Sequence, residues 1–497
     1  MVGAAAAATG VVGAAVGGEV VGATVCVGAG RLVVVRIVVV GRAGARVVVG
    51  TAVVTRSVVS PPRAANATPT ASARASVNAA AAATRRRRVA VKGRPGTSRN
   101  ARALERSRVD SPSIRSETWR VTASRLVRAV PAVLLLLVAT PHSARAATPK
   151  PRPVVLGAGW HHSCALMSDG TVRCWGTNKD GELGIGHERS TVRAVPVPGI
   201  DDAVALTVGS SHTCAVLRGG TAKCWGYNGQ GQLGNGTRTT AFRPASVQRV
   251  TDAIAAAAGN SDTCFLRRNG SVMCTGENQW GELGHGDNED STVPVSVLHL
   301  TNAVAITGSY DHFCALTALG GGKCWGFNDG SRLGDGTLTN RSTPVGVNGA
   351  RHLRAIGAGG GASCALLRDR GVSCWGGILR PDGDYRIARA PVRVEGLSDV
   401  TTLSTGFLFN CATRANGAVK CWGDNNAGQL GDGTRIRSGT PVRVSGITNA
   451  KAVASGAYHA CALLADSTAR CWGENGSGRL GSGSTAPSNT PVRVLGL

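Results

Sequence analysis

Between Cys164 and Cys471 the chain repeats one cysteine pair seven times: Cys164 with Cys174, Cys214 with Cys224, Cys264 with Cys274, Cys314 with Cys324, Cys364 with Cys374, Cys411 with Cys421, and Cys461 with Cys471. The pairs recur every 50 residues, with one step of 47 between Cys364 and Cys411. A period of roughly 40–50 residues belongs to chains whose units cannot bury their apolar faces alone and must stack on neighbours, as propeller blades and solenoid repeats do. Cys26 lies outside the array.

Each pair brackets a turn. In "SCALMSDGTVRCWG", residues 163–176, a three-residue loop Ser168-Asp169-Gly170 makes the pairing symmetric about Asp169, so Cys164 faces Cys174. Such a loop wants glycine in the left-handed position at its end. Gly170, Gly220, Gly270, Gly320 and Gly417 stand there, whereas Arg370 and Ser467 depart. Opposed cysteines at a non-hydrogen-bonded site of an antiparallel pair come within disulfide distance. Seven intra-hairpin disulfides are therefore expected, each contributing on the order of 2–3 kcal/mol in the chain-entropy model. The competing reading is reduced, buried small residues in a cytosolic protein. Zinc is not expected, since a Cys-x9-Cys pair with no second pair beside it lacks ligand spacing.

The segment ahead of the array bears on that choice. Residues 121–146 run from Arg125 and Arg128 through an apolar core, Ala129 to Ala139, to Ala144-Arg145-Ala146. A basic start, a short apolar core and a small-x-small end are the marks of a secretory signal peptide. A signal so deep in a chain is out of reach of export machinery. Residues 1–120, rich in Ala, Val and Arg, are therefore read as a disordered or mis-called upstream extension, with translation starting near Val109 or Val121. Residues 147–153 read as a linker and 154–497 as the repeat domain. Residues 1–150 carry 23 Lys+Arg against 4 Asp+Glu, +19 of the total +26, leaving +7 for the rest. The basicity, including the run at 85–88, thus belongs to the first third, and no nucleic-acid surface is expected on the repeats. The Val-rich stretch 31–50 is interrupted by Arg31, Arg36, Arg42 and Arg46, and no transmembrane helix is expected in the mature chain.

Each unit opens with an apolar run ending in small residues, such as "VVLGAG" and "VALTVG". After the second cysteine comes "WGTNKDGELGIG" or a cognate, and a Pro-led strand such as "TPVGV" (343–347) or "TPVRV" (440–444 and 490–494) closes the unit. Six of seven units keep Trp-Gly and six keep Leu-Gly-x-Gly; the fifth has "WGGILRPDGDYRIARA" instead. The stretch Asn178–Glu182 is like a calcium loop in the first copy only, so it reads as a structural turn. Together these motifs resemble the repeat of the regulator of chromosome condensation family across 154–497. The resemblance implies an all-β fold, a seven-bladed β-propeller of four-stranded antiparallel blades, and the count of seven units agrees. The first unit has no Pro-led strand before it and the last ends on one, so the final strand is expected to complete the blade that the first unit opens. Trp175, Trp225, Trp325, Trp375, Trp422 and Trp472 are expected to pack blade against blade.

The family includes an exchange factor for a nuclear GTPase and a secreted bacterial propeller that inhibits β-lactamases by laying one face of its disc over the target. The signal-like segment and the cysteine pairs align this chain with the bacterial secreted type. The expectation is a secreted or cell-envelope module, monomeric and non-catalytic, that needs no cofactor or metal and binds an unidentified protein partner. Just ahead of each first cysteine, two loop positions vary while their neighbours repeat. Trp160, His161, Tyr310, Asp311, Phe407 and Tyr458 among them are the candidate partner-binding residues, because such loops gather around one mouth of a propeller's channel. His162, His212, His312 and His459 follow one position later and are expected to hydrogen-bond a neighbouring turn. Two alternatives stand beside this reading. One is a cytoplasmic, guanine-nucleotide exchange factor-like regulator of a GTPase, as in the eponymous member. The other is a hydrolase or lyase on the irregular fifth unit, with Asp382, Asp384 and Tyr385.

Overall fold

The computed structural model describes residues 150–497 and, before them, one short antiparallel pair, Val34–Ile37 with Gly50–Val53. The rest of the expected upstream extension 1–120, the signal peptide 121–146 and the linker up to 149 lie outside the described residues.

From Pro153 onward the chain forms seven four-stranded antiparallel sheets, and in each the strands follow sequence order. The first blade consists of Pro153–Ala158, His162–Met167, Val172–Gly176 and Thr191–Pro196; the seventh consists of Ala450–Ser455, His459–Leu464, Ala469–Gly473 and Ser488–Arg493. Each innermost strand neighbours that of the next blade, and the seventh neighbours the first, so the ring is closed around a channel. Seven strands converge on this axis, and at matching positions they present small residues: Gly157, Thr207, Ala257, Thr307, Gly357, Ser404 and Ala454. The channel encloses about 300 Å3.

All seven hairpins oppose their cysteines directly. The expected disulfides are all formed: Cys164 to Cys174, Cys214 to Cys224, Cys264 to Cys274, Cys314 to Cys324, Cys364 to Cys374, Cys411 to Cys421, and Cys461 to Cys471. Within each pair the Cα atoms lie 4.0–4.1 Å apart. The loop-closing position is left-handed throughout, with φ of 76–88° at the five glycines and 63° and 64° at Arg370 and Ser467. The cystines face the gaps between blades, where the apolar core sits. Cys164 and Cys174 pack with Trp225 of the second blade, and Cys461 and Cys471 with Trp175 of the first. In the same way Cys214 and Cys224 pack with Phe265, Cys314 and Cys324 with Trp375, and Cys411 and Cys421 with Trp472. Among the described residues no helix is long and apolar enough to cross a membrane.

Ring closure departs from the expectation. Every blade, the first included, is built from four consecutive strands, and Ser488–Arg493 pairs with Ala469–Gly473 of its own repeat. No strand is left over to exchange. The first blade's fourth strand carries Ala194 at the position held by Pro244, Pro294, Pro344, Pro391, Pro441 and Pro491, which removes the sequence mark of an outer strand. The freed N–H of Ala194 donates to Leu495 O at 2.9 Å, a bond that proline could not make. Arg173 also bonds Gly496 O at 2.7 Å. That contact repeats around the ring, with Lys223 on Gly199 O, Lys323 on His299 O and Lys420 on Gly396 O. The seam is a blade–blade interface like its neighbours, closed mainly by side chains.

Candidate protein-binding face

In every blade but the fifth, the loops of this face are set by one asparagine. In these six blades the asparagine three residues after the Trp position (Thr275 in the third blade) accepts, through Oδ1, the N–H of the leucine five residues on, at 2.8–3.0 Å. Asn178 is thus a turn former. Each of these leucines is fully buried, and the carbonyl before it is delivered to the next blade. There the tryptophan indole donates to it: Trp225 to Glu182 O at 2.9 Å, Trp325 to Glu282 O at 2.8 Å, and Trp175 to Arg479 O at 2.8 Å across the seam. Five of the six tryptophans, all but Trp422, therefore join blades through a hydrogen bond as well as through packing.

The hydroxyls of Ser163, Thr213, Thr263 and Ser363 donate to the same row of carbonyls at 2.8–3.1 Å. A hydroxyl that donates there is left to accept from the imidazole behind it. His459 bonds Ser163 at 2.7 Å, His162 bonds Thr213 at 2.8 Å, His212 bonds Thr263 at 2.8 Å, and His312 bonds Ser363 at 2.9 Å. The proton is accordingly assigned to Nε2, and each Nδ1 has no partner among the described residues. Burial pushes His162 down to about 3 and His212 to about 4, and holds His312 and His459 well below the usual range. These histidines are neutral struts that bond the next blade's hydroxyl rather than a turn.

The loops between first and second strands open on one mouth of the channel, and there the rings meet. Trp160 of the first blade stacks on Tyr310 of the fourth, with centroids 5.6 Å apart and planes 22° from parallel. Phe407 of the sixth packs on both, at 5.9 and 5.3 Å, and Tyr458 of the seventh lies 6.0 Å from Phe407. His161 meets Trp160 edge-on at 6.0 Å. All are half-buried. The cluster borders a space of about 70 Å3 lined also by Gly159, Gly209, Gly259, Gly406 and Gly456. Blade four places Ser309 where those glycines stand. Its loop turns at Tyr310, whose φ is 46°, and Tyr310 O accepts from Asn260 N at 2.8 Å. A left-handed backbone at a bulky residue costs about 1–2 kcal/mol, and here it carries the ring that stacks on Trp160.

Charge flanks the aromatics. Arg479 donates to Trp160 O at 2.6 Å and to His161 Nδ1 at 2.7 Å, and pairs with Glu474 at 2.5 Å. A guanidinium only donates, so His161 presents its Nε2–H outward from that contact; burial, then Arg479, lowers its pKa. Arg332 bonds Gly360 O at 2.9 Å and lies 4.7 Å over the Phe327 ring, which packs on Trp280 at 5.0 Å. Phe327 N–H in turn donates to Asp311 O at 2.8 Å, so this second patch adjoins the mouth. Burial, then the neighbouring Glu277, raises the Asp311 carboxyl to about 6, and burial raises Glu277 as well. Asp262, buried where four other blades keep histidine, is held well above the carboxylate range by burial.

The six candidate residues thus converge on one face. Sequence reasoning missed Trp280, Phe327, Arg332 and Arg479, whose signal is a change of residue type at positions that read as ordinary loop. Asp382, Asp384 and Tyr385 do not join them. They lie exposed at the tip of the fifth blade's hairpin, where Asp382 accepts from Asp384 N at 3.0 Å and Arg437 lies 5.9 Å from the Tyr385 ring. Among the described residues no group of three His, Cys, Asp or Glu is placed to hold a metal ion.

Comparison with known proteins agrees with this architecture. A model of the regulator of chromosome condensation (RCC1) repeat matches residues 169–216, 222–266, 269–316 and 416–463, and a second model of that repeat matches 155–182, 203–232, 400–429 and 450–479. No curated protein matches in sequence. Among solved structures, human WBSCR16 is similar at 22% identity and a TM-score of 0.58, over 64% of this chain and 88% of that one. Yeast RCC1 (Prp20), solved in complex with Kap60, is similar at 21% identity and a TM-score of 0.58, over 69% and 85%. Prp20p from Saccharomyces cerevisiae, described with its binding to Gsp1p and histones, reaches 0.56 at 21% identity, over 69% and 87%. At these identities the likeness is one of fold.

Proposed function

On a seven-bladed propeller carrying regulator of chromosome condensation repeats, we propose that the aromatic mouth docks a protein partner, and that the protein is a secreted, non-catalytic interaction module. The observation that carries this reading is the meeting of Trp160, Tyr310, Phe407 and Tyr458 from four blades. The ring itself has no need of aromatics there, since other blades use Ser210, Asn260 and Gly360 at the first of these loop positions. Half-exposed aromatics flanked by arginine have the composition of interface hot spots. Export is supported by the seven disulfides, which persist in oxidising compartments, and by the signal-like segment ahead of them.

The test is capture of a partner from the host's extracellular fraction on immobilised protein. Trp160→Ala and Tyr310→Ala should lose it. Leu319→Ala, on an exposed hairpin loop at the other end of the blades, should retain it. Equal capture by all three variants would overturn the reading. The intact mass of the exported protein should correspond to a chain starting near Ala147. A second reading rests on the likeness to Prp20p, described as binding Gsp1p: regulation of a GTPase. Accelerated nucleotide release from a small GTPase, with capture lost in no mouth variant, would favour it.

A further inference from the structure

The fifth and sixth blades meet differently from every other pair. At the other interfaces a loop leucine is buried, as Leu430 is, and the glycine after it has φ of 63–69°. Where a tryptophan follows, that glycine lies flat on the indole; a Cβ on Gly431 would stand 2.6 Å from the Trp472 ring. The carbonyl ahead of the leucine accepts from the indole, as Gln429 O does from Trp472 Nε1 at 2.9 Å.

Blade five has no such loop. Its third and fourth strands lengthen to Val372–Leu379 and Tyr385–Arg393, and the short turn joining them crosses over Gly439 of blade six. A cavity of about 260 Å3 remains between the two blades, walled by Ile378, Leu379, Val392, Phe407, Phe409 and Trp422. The local core contains Trp422 and the Cys364–Cys374 cystine but no loop leucine. The Trp422 indole, unlike the other five, makes no bond to a loop carbonyl among the described residues. Beside it, Asn410 also lines the cavity, paired across the sheet with Trp422 as Ser163 is with Trp175.

We propose that this cavity receives a turn of a partner protein bearing a Leu-Gly step. The leucine side chain fills the apolar cavity, the glycine lies on Trp422, and the carbonyl ahead of the leucine accepts from Trp422 Nε1. The cavity stands where the molecule builds a buried loop leucine at its six other blade interfaces, and the five of these that carry a tryptophan define the chemistry of the occupant. Glycine is required because the step is left-handed and a Cβ would enter the indole. The site shares Phe407 with the aromatic mouth and needs no part of the mouth's proposed role.

The probe is a cyclised peptide with the sequence of residues 425–433, NNAGQLGDG, titrated into the full chain carrying 15N-labelled tryptophan indoles. The Trp422 indole resonance should move and saturate. Aspartate in place of the peptide's leucine should abolish the shift. Trp422→Phe should weaken binding about fivefold, the worth of one hydrogen bond. Gly377→Leu, at a cavity-lining position whose nearest neighbour to an added Cβ is Gly361 O at 3.3 Å, should block the site. Trp160→Ala should bind the peptide as the parent does, which separates this site from the mouth. The proposal is overturned by an unmoved Trp422 resonance at millimolar peptide, or by equal binding of the aspartate peptide. It is likewise overturned if leucine amide binds as well as the peptide, marking a general apolar cavity, or if Gly377→Leu abolishes a self-association of the chain, marking a second copy as the occupant.

Discussion

A left-handed backbone is natural to glycine and costs other residues about 1–2 kcal/mol, yet Arg370 and Ser467 hold that conformation where five hairpins use glycine. Their N–H groups do what the glycines' do: Arg370 N–H donates to Leu367 O and Ser467 N–H to Leu464 O, just as Gly170 N–H does to Met167 O. Arg370→Gly and Ser467→Gly should each raise stability by about 1 kcal/mol in denaturant unfolding. Glu282 offers a second test. Burial raises its carboxyl to about 8, while the same loop position holds Gln232 and Gln429. The folded pKa lies above the unfolded value near 4.5, so stability from the neutral acid is complete below pH 4.5 and is lost as pH rises through 8. Glu282→Gln should therefore raise Tm at pH 9 and leave it unchanged at pH 4. The glycine rule and the Glu/Gln alternation are both visible as letters. That the carboxylate is buried is not, because its Oε2 accepts from Trp280 N within a loop that reads as polar and exposed.

At the scale of the hairpin, the cystine serves two interfaces at once. It ties two strands of one blade and packs on an aromatic ring of the next, a tryptophan in every case but Phe265, and no cysteine of the seven pairs is more than 2% exposed. Mild reduction of the native protein should expose none of these thiols to iodoacetamide, whereas reduction in denaturant should expose all fourteen. Replacing Cys264 and Cys274 together by alanine should cost about 2–3 kcal/mol in denaturant unfolding. This level was the most legible in sequence, because the symmetric loop about Asp169 and its equivalents places each cysteine opposite its mate. The aromatic mouth was legible for a related reason: variable positions stand out against a repeating background. Arg332 and Arg479 escaped because a charged residue replacing glutamine in a loop looks solvent-facing, and only the curvature of the ring turns Arg479 inward onto Trp160 and His161. The missing loop of blade five was visible as a broken motif. The cavity it leaves depends on how blade six approaches, which no local pattern encodes.

For the whole molecule, the seam between the first and seventh blades is the telling place. Val494 is buried there with Trp175, and Leu495 O and Gly496 O accept from Ala194 N and Arg173. Removing residues 494–497 should lower stability by about 5 kcal/mol, from one buried valine and four hydrogen bonds, since Val494 N–H and Leu495 N–H also donate, to Ala469 O and Gly481 O, with proteolysis appearing first in blades one and seven. The count of seven blades could be read from the period alone. How the ring closes could not, since Ala194 in place of proline disguised the first outer strand and made the last one look spare. A ring closed by packing, without a shared strand, has a defined starting point under mechanical load. Tension between residues 153 and 497 falls on the seam and then on one blade after another, so the disc peels in sequence instead of shearing as a whole. Each cystine withholds the residues between its sulfurs from the extension, and the same blade would release a longer step once its cystine is reduced.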